Sequence, residues 1–273
     1  MINIAVLMTC YNRRETTLRC LERLYEQKLP DNVSYNVYLV DDGCMDGTGD
    51  AVREYYPDIN VIQGDGTLFW CNGMRLAWSH AAEKDYDFYL WLNDDSMLLD
   101  GALNKLLDTY AMSEDTALII GSCRDPETGL HSYGGQGRIG LHPAKLRKIE
   151  PGAEPVLCDT FQGNIVLISQ KAFKRIGIMR SFKHAMGDTD YGYLAGKAGC
   201  SLLIAPGYIG ECNFNITENM SQGSELSLMQ RWHLLKKRMP PIDWFRLLWA
   251  HSGLLSLVYW PRPYLRVLLG LNR

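Results

Sequence analysis

The chain predicts an α/β fold with a mainly parallel central sheet flanked by helices, and two observations predict it. Short apolar, β-prone runs alternate with segments whose apolar residues recur at helical spacing, as in right-handed βαβ units. The first four of those runs also end abruptly in polar or acidic residues. Parallel strands share one carboxyl edge, which is where open α/β sheets hold their ligands.

In chain order, the first strand covers Ile4 to Met8 and stops at Thr9-Cys10-Tyr11-Asn12-Arg13. A helix follows, with Leu18, Leu21, Leu24 and Tyr25 at helical spacing. Val37 to Val40 is the second strand and ends at Asp41-Asp42-Gly43. Thr48 is placed to cap a helix through Val52 to Tyr56. Ile59 to Ile62 is the third strand, leading into Gly64-Asp65-Gly66-Thr67. A helix near Asn72 to Ala82 precedes the fourth, Phe88 to Leu92, which ends in Asn93-Asp94-Asp95-Ser96. Gly101 to Met112 then reads as helix, Ala117 to Gly121 and Ile165 to Ile168 as strands, and Gln170 to Ile176 as a short helix. Gly129 to Lys148, rich in Gly and basic residues, shows no clear period.

On this reading Thr9, Asp41, Asp42, Asp65, Asp94 and Asp95 line one crevice. Loops are polar in any protein, but four successive strands delivering polar or acidic groups to one edge make a stronger pattern. Two adjacent carboxylates after the fourth strand suit a hard divalent cation, which takes oxygen ligands and often keeps substrate phosphates in its shell. The alternative is a solvated turn ahead of the helix near Gly101. No G-x-G-x-x-G follows the first strand and no G-x-x-x-x-G-K-[ST] occurs, so neither a Rossmann dinucleotide site nor a P-loop is supported.

Composition narrows the classes. With 47% hydrophobic and 22% charged residues the chain is a folded globular protein, and a net charge of −3 gives no reason to expect nucleic acid. Eight cysteines are scattered singly without a C-x-x-C pair, as for reduced thiols in an intracellular protein. Met1 to Met8 lacks the features of a signal peptide, and no uninterrupted apolar run reaches about 18 residues, so a cytoplasmic protein is expected. The charge is uneven. From Leu226 onward eight basic side chains stand against Asp243 alone, a surplus of +7 that leaves −10 for the rest. Trp232, Trp244, Trp249 and Trp260, four of the seven tryptophans, fall in the same stretch. Residues 1–225 are therefore read as the main domain and 226–273 as a basic, Trp-rich helical appendage. Such helices suit an anionic membrane interface; packing on the main domain, or on a second copy in a homodimer, is the alternative.

Three motifs carry a resemblance: Thr9-Cys10-Tyr11-Asn12-Arg13, Val40-Asp41-Asp42-Gly43-Cys44-Met45-Asp46-Gly47-Thr48, and Asn93-Asp94-Asp95. In sequence and spacing they resemble family 2 glycosyltransferases of the GT-A fold, over about Ile4 to Pro206. Cys44 stands where that family usually has serine. The resemblance implies an inverting glycosyltransferase that moves a sugar from a nucleoside diphosphate, UDP- or dTDP-linked, to a hydroxyl of a glycan acceptor. That acceptor is expected to be lipid-linked, as in bacterial surface-polysaccharide assembly.

The same resemblance implies a nucleotide-binding set of Thr9, Tyr11, Asn12, Arg13, Asp41, Asp42, Asp65, Gly66 and Asp94. Asp95 is expected to hold Mn²⁺ or Mg²⁺ at the diphosphate. His184-Ala185-Met186-Gly187-Asp188-Thr189-Asp190-Tyr191 is similar to the family's E-D-x-D segment, which makes Asp188 the expected base, with Asp190 in reserve; helix capping is their other reading. Trp70, Asn164 and Asp190 are candidate acceptor or sugar contacts, Trp70 being equally readable as core. Three positions depart from the family. The acid before the base is Gly187, the arginine six residues after it is Leu194, and Glu211 or Asn213 would have to replace a late metal-binding histidine. His184 reads as structural. Two other readings stay open: a sugar-nucleotide pyrophosphorylase, disfavoured for lack of a Gly-rich basic loop after the first strand, and a non-catalytic sugar-nucleotide or membrane-binding protein of the same fold.

Overall fold

The computed structural model describes residues 1–183, 185–214 and 227–271. Ile2–Cys10 forms β1, buried on both faces after its first residues, as a central parallel strand must be. Arg14–Tyr25 forms α1, which turns Thr17, Cys20, Leu21 and Leu24 inward at helical spacing. Val33–Asp41 is β2, Thr48–Tyr55 is α2 and Asn60–Gln63 is β3. Phe69–Ala81 is α3 and Phe88–Leu92 is β4, all five residues of which are buried. Met97–Leu98 and Ala102–Ala111 make β5 and α4, and Leu118–Arg124 makes β6. The aperiodic stretch resolves into short strands: β7 at His131–Tyr133, β8 at Gly135–Arg138 and β9 at Leu146–Lys148. Val156–Leu157 is β10, Thr160–Phe161 is β11, Ile165–Ser169 is β12 and Gln170–Ile176 is α5. Gly187–Lys197 forms α6 and Leu202–Glu211 forms β13. The tail holds α7 (Leu228–Arg238), α8 (Pro241–Ser252), α9 (Ser256–Tyr259) and α10 (Arg262–Leu268).

The main sheet runs β10-β13-β6-β12-β4-β1-β2-β3. Pairs β1/β2, β1/β4, β2/β3 and β6/β13 are parallel. The order reverses between β1 and β4, which opens a crevice at their carboxyl ends. β12 is antiparallel to both neighbours, with Ile165 opposite Leu92. It therefore begins where β4 ends, and the residues just before it lie beside the acidic turn. That arrangement positions the site.

Thr48 does not cap α2. Gly47 holds the cap position with a positive φ, and Asp46 Oδ1 accepts from both the Thr48 backbone N–H and its hydroxyl.

The boundary expected at 225/226 lies outside the described residues, as do His184 and residues 215–226. Beyond it, α8 enters the core. Trp244, Leu247 and Leu248 share a buried cluster with Trp78, Trp91, Phe182 and Tyr191. No helix among the described residues is long and apolar enough to cross a membrane.

Candidate active site

At the end of β2, Asp41 and Asp42 are both buried and brace the surrounding loops. Asp41 Oδ1 accepts from the Cys44 N–H at 2.8 Å, and its other oxygen lies beneath Gly49, where a Cβ would come within 2.0 Å. Asp42 gathers three backbone donors: Gly66 at 2.9 Å and Leu68 at 3.3 Å on Oδ1, and Phe69 at 3.0 Å on Oδ2. This ties the glycine loop to β2, and Gly43 has to be glycine because a Cβ there would sit 2.9 Å from the Gly66 nitrogen. Both carboxylates stand at the carboxyl end of β2, the edge where the nucleotide-binding set is expected.

Asp65 Oδ1 accepts from the Thr67 N–H at 2.9 Å and the Thr67 hydroxyl at 2.7 Å, a local turn. Thr9 is also buried, packed under α3 where Gly73 leaves room: a Cβ on Gly73 would meet Thr9 Oγ1 at 2.2 Å. The groups that do face open space are Tyr11 and Arg13, with Asn12 holding their loop through Oδ1 to the Met45 N–H at 2.8 Å.

At the end of β4 the two carboxylates differ. Asp94 is buried; Asp95 keeps 22% of its side chain exposed. Arg13 spans both, its Nη1 lying 3.4 Å from Asp94 Oδ1 and 2.8 Å from Asp95 Oδ2. Burial, then the charge of Asp95, pushes the Asp94 carboxyl up to about 7, with Arg13 and the Thr17 hydroxyl pulling the other way. A guanidinium resting on an exposed carboxylate shows that the turn attracts a cation. The donors fit a hard divalent ion that completes its shell with phosphate oxygens.

Of the late candidates, Glu211 pairs with Arg124 at 2.8 Å and Asn213 lines the cavity beside Asp95, while the Cys212 Sγ lies 3.6 Å from Asp95 Oδ1. Burial, followed by the Asp95 charge, pushes that thiol up to about 12. Another trio, Cys10, Asp41 and Cys44, brings its ligand atoms within 4.8 Å of one another. Its thiols are held protonated, Cys44 being pushed up to about 11 chiefly by burial, so it is no site for a hard cation. Beside Asp95 opens a cavity of about 580 Å³ walled by Arg13, Arg19, Arg23, Thr16 and Asn213. Guanidinium forks in that density suit phosphate oxygens.

Asp188 reaches the same edge through the loop before β12. Its Oδ2 accepts from the Gly163 N–H at 3.1 Å, and burial raises its pKa against the pull of the Thr189 and Gly163 backbone bonds. The next residue ties to the acidic turn: Asn164 O accepts from the Asn93 N–H at 2.9 Å, and Asn164 Nδ2 donates to Ser96 Oγ at 3.2 Å. Two adjacent residues thus link Asp188 to the acidic turn. Asn164 is buried, and its carbonyl and Nδ2 brace that junction.

Trp70 is half-buried over Gly163, where a Cβ would come within 2.7 Å of its ring, and its Nε1 donates to Asn93 Oδ1 at 2.6 Å. It stands at the site with one side against Trp91. Asp190 has a wholly buried carboxylate, bound by Arg180 Nε at 2.8 Å and by His251 Nε2 at 2.8 Å. Neither aspartate caps α6, whose cap position is Met186. Cys212, Arg180 and His251 escaped sequence reasoning, because each acquires its partner only through tertiary packing.

Comparison with known proteins agrees with this geometry. The family model described as glycosyl transferase family 2 matches residues 5–177. Two curated relatives from Mycobacterium tuberculosis strains, each an N-acetylglucosaminyl-diphospho-decaprenol L-rhamnosyltransferase, are 23% identical over 199 residues. Those matches cover 63% of this chain and 64% of the relatives' length. Among solved structures, the mannosyltransferase PcManGT from Pyrobaculum calidifontis, in complex with GDP-Man and Mn²⁺, superposes with a TM-score of 0.60 at 14% identity. It covers 97% of this chain and 73% of that one, a likeness of fold. With the strand order, the acidic turn and the matched segment in agreement, the chain belongs to glycosyl transferase family 2.

Proposed function

We propose that the protein is an inverting, metal-dependent glycosyltransferase. It transfers a sugar from a UDP- or dTDP-linked donor to a hydroxyl of a lipid-diphosphate-linked glycan. The observation that carries this reading is the Gly163-Asn164 loop, which bonds Asp188 at its first residue and, at its second, Asn93 and Ser96 on either side of Asp94-Asp95. A divalent cation on Asp95 would supply charge stabilisation for the departing nucleoside diphosphate. Arg13 is placed to hold diphosphate oxygens once it releases the carboxylates, and the guanidinium-walled cavity extends that capacity. Asp188, with its raised pKa, takes the proton of the attacking hydroxyl, and Trp70 offers a ring face beside it. The lipid-diphosphate acceptor is suggested by the rhamnosyltransferase relatives and the metal by the Mn²⁺ complex of the mannosyltransferase.

Titration of UDP and dTDP, each with and without Mn²⁺, into wild type and Asp95→Ala tests the donor half. Metal-dependent binding of one nucleotide, lost in the variant, is expected; metal-independent or absent binding of both would reject the reading.

The tail supports a peripheral membrane contact for such an acceptor. Trp249, Leu254, Leu257, Leu265, Leu268 and Leu269 are exposed, with Arg262 and Arg266 among them. Flotation with phosphatidylglycerol vesicles but not with phosphatidylcholine vesicles is the expected result, reduced in Arg262→Glu/Arg266→Glu. Equal recovery with both lipids, or with neither, would remove the contact from the account.

A further inference from the structure

We infer that His251, in the tail, is a positioning residue for the reaction: through Asp190 it holds helix α6 so that Asp188 meets the Gly163 N–H. The inference rests on the reading of Asp188 as base. It begins from the division of α6 into two faces. Asp188 is directed to the crevice loop. Asp190, Tyr193 and Lys197 follow at spacings of three and four and so share one side, roughly opposite Asp188 at 100° per residue. That side is the seat of α8.

Polar contacts run along the seam from α6 to the tail and the neighbouring loops, Tyr193 Oη donating to the Pro143 carbonyl at 2.7 Å. His251 Nε2 lies 2.8 Å from Asp190 Oδ1, with both side chains fully buried. Arg180 closes the carboxylate from the other side, its Nε on Oδ2 and its Nη2 on Oδ1. Tyr193 packs against the His251 ring at a centroid distance of 4.9 Å, and Lys197 Nζ donates to the Ala250 carbonyl. Arg138 donates to the His251 carbonyl at 3.2 Å. The His251 Nδ1 finds no hydrogen-bond partner among the described residues. The imidazole's one hydrogen bond therefore goes to Asp190, a contact spanning 61 residues of sequence.

The α6 start is also held by Thr160 Oγ1, which donates to the Thr189 carbonyl at 2.9 Å, and by Tyr191 in the core, while its link to the tail runs through Asp190. Met186 caps it without a side-chain hydrogen bond and in a left-handed backbone, and Gly187 lies against Cys71, where a Cβ would come within 2.7 Å of Sγ. Asp190 N–H bonds back to the Met186 carbonyl at 2.8 Å. A shift of Asp190 is thus passed directly to the turn that carries Asp188. A misplacement on the order of 1 Å at a reacting group can cost roughly a hundredfold in rate.

The test uses full-length protein with dTDP-rhamnose, a lipid-diphosphate-linked N-acetylglucosamine and Mn²⁺. If that pair is not turned over, the donor identified by nucleotide titration replaces dTDP-rhamnose. His251→Ala should lower kcat about tenfold or more while the donor KM and Mn²⁺-dependent nucleotide binding stay within about twofold. His251→Gln, which keeps a donor at the Nε2 position, should recover most of the loss. A kcat within twofold of wild type in folded His251→Ala overturns the inference. If that variant does not fold, Asp190→Asn is read the same way, and wild-type kcat there overturns it equally. Asp188→Asn runs alongside: if it keeps full transfer, the base assignment has failed, and a fall in kcat for His251→Ala then needs another cause.

Discussion

The site contains two pairs of acids, Asp94-Asp95 at the end of β4 and Asp188/Asp190 at the start of α6, and they divide their work alike. In each pair one carboxylate is buried and the other serves the crevice. The buried members differ in how their charge is compensated. Asp94 has a long contact to Arg13 and one hydroxyl, and burial beside Asp95 pushes it up to about 7. Burial also pushes Asp190 up, but the His251 and Arg180 hydrogen bonds outweigh it and hold the carboxyl below its ordinary value. A buried carboxylate is thus a titrating group or a fixed anchor according to the number and closeness of its donors.

The largest effect expected concerns the members that meet the crevice. Asp188→Asn should lower kcat by about 10²–10⁴ while leaving nucleotide affinity unchanged, as read by steady-state kinetics beside calorimetry. Next come the buried members, separable by stability. Asp190→Ala leaves Arg180 and His251 without their shared partner and should destabilise by about 3–5 kcal/mol in urea denaturation. Asp94→Asn in metal-free protein should cost far less at neutral pH.

Their pH signatures should run in opposite directions. Asp94 has a raised folded pKa, so its contribution is fully present below the ordinary carboxylate value of 3.8 and is lost as pH rises through about 7. Asp190 has a lowered one, so its contribution is present above the ordinary value and is lost as pH falls through the folded value. Urea midpoints across pH should show Asp94→Asn flattening the first slope and Asp190→Asn the second; one shared slope for both would show that the contrast is wrong. The smallest effect is predicted for Asp65→Ala, whose carboxylate serves only its own turn. Nucleotide affinity should change by less than about threefold, against abolition of Mn²⁺-dependent binding in Asp95→Ala.

The comparison also marks what could be read from sequence. Phe88–Leu92 and Gln170–Ile176 coincide with the runs read from pattern, because a buried parallel strand is continuously apolar and a short helix follows its Ser169 cap. Other boundaries moved by a few residues, β2 starting at Val33 because its outer half alternates with solvent. The strands between His131 and Lys148 escaped because each has three or four residues and the stretch includes Gly134, Gly135 and Gly137, too little for a period to emerge. The antiparallel course of β12 was equally silent, since an apolar run of five carries no direction. Asp95 and Asp188 could be picked out as candidates because strand ends and a helix start are local features. The contacts of Asn164, Asp190 and Cys212 were not legible because they run to partners 61 to 117 residues away.

The only non-glycine residues with left-handed backbone among the described ones are Asn12, Phe69 and Met186, at φ of 49°, 54° and 80°. They stand on the loop bearing Arg13, at the Asp42-braced start of α3, and one step before Gly187-Asp188. Such conformations disfavour L-residues by roughly 1–2 kcal/mol each. For an engineer this defines a trade-off: Met186→Gly would relax the backbone and loosen the catalytic helix together, so the easiest routes to a hardier enzyme pass through the residues that hold it ready to react.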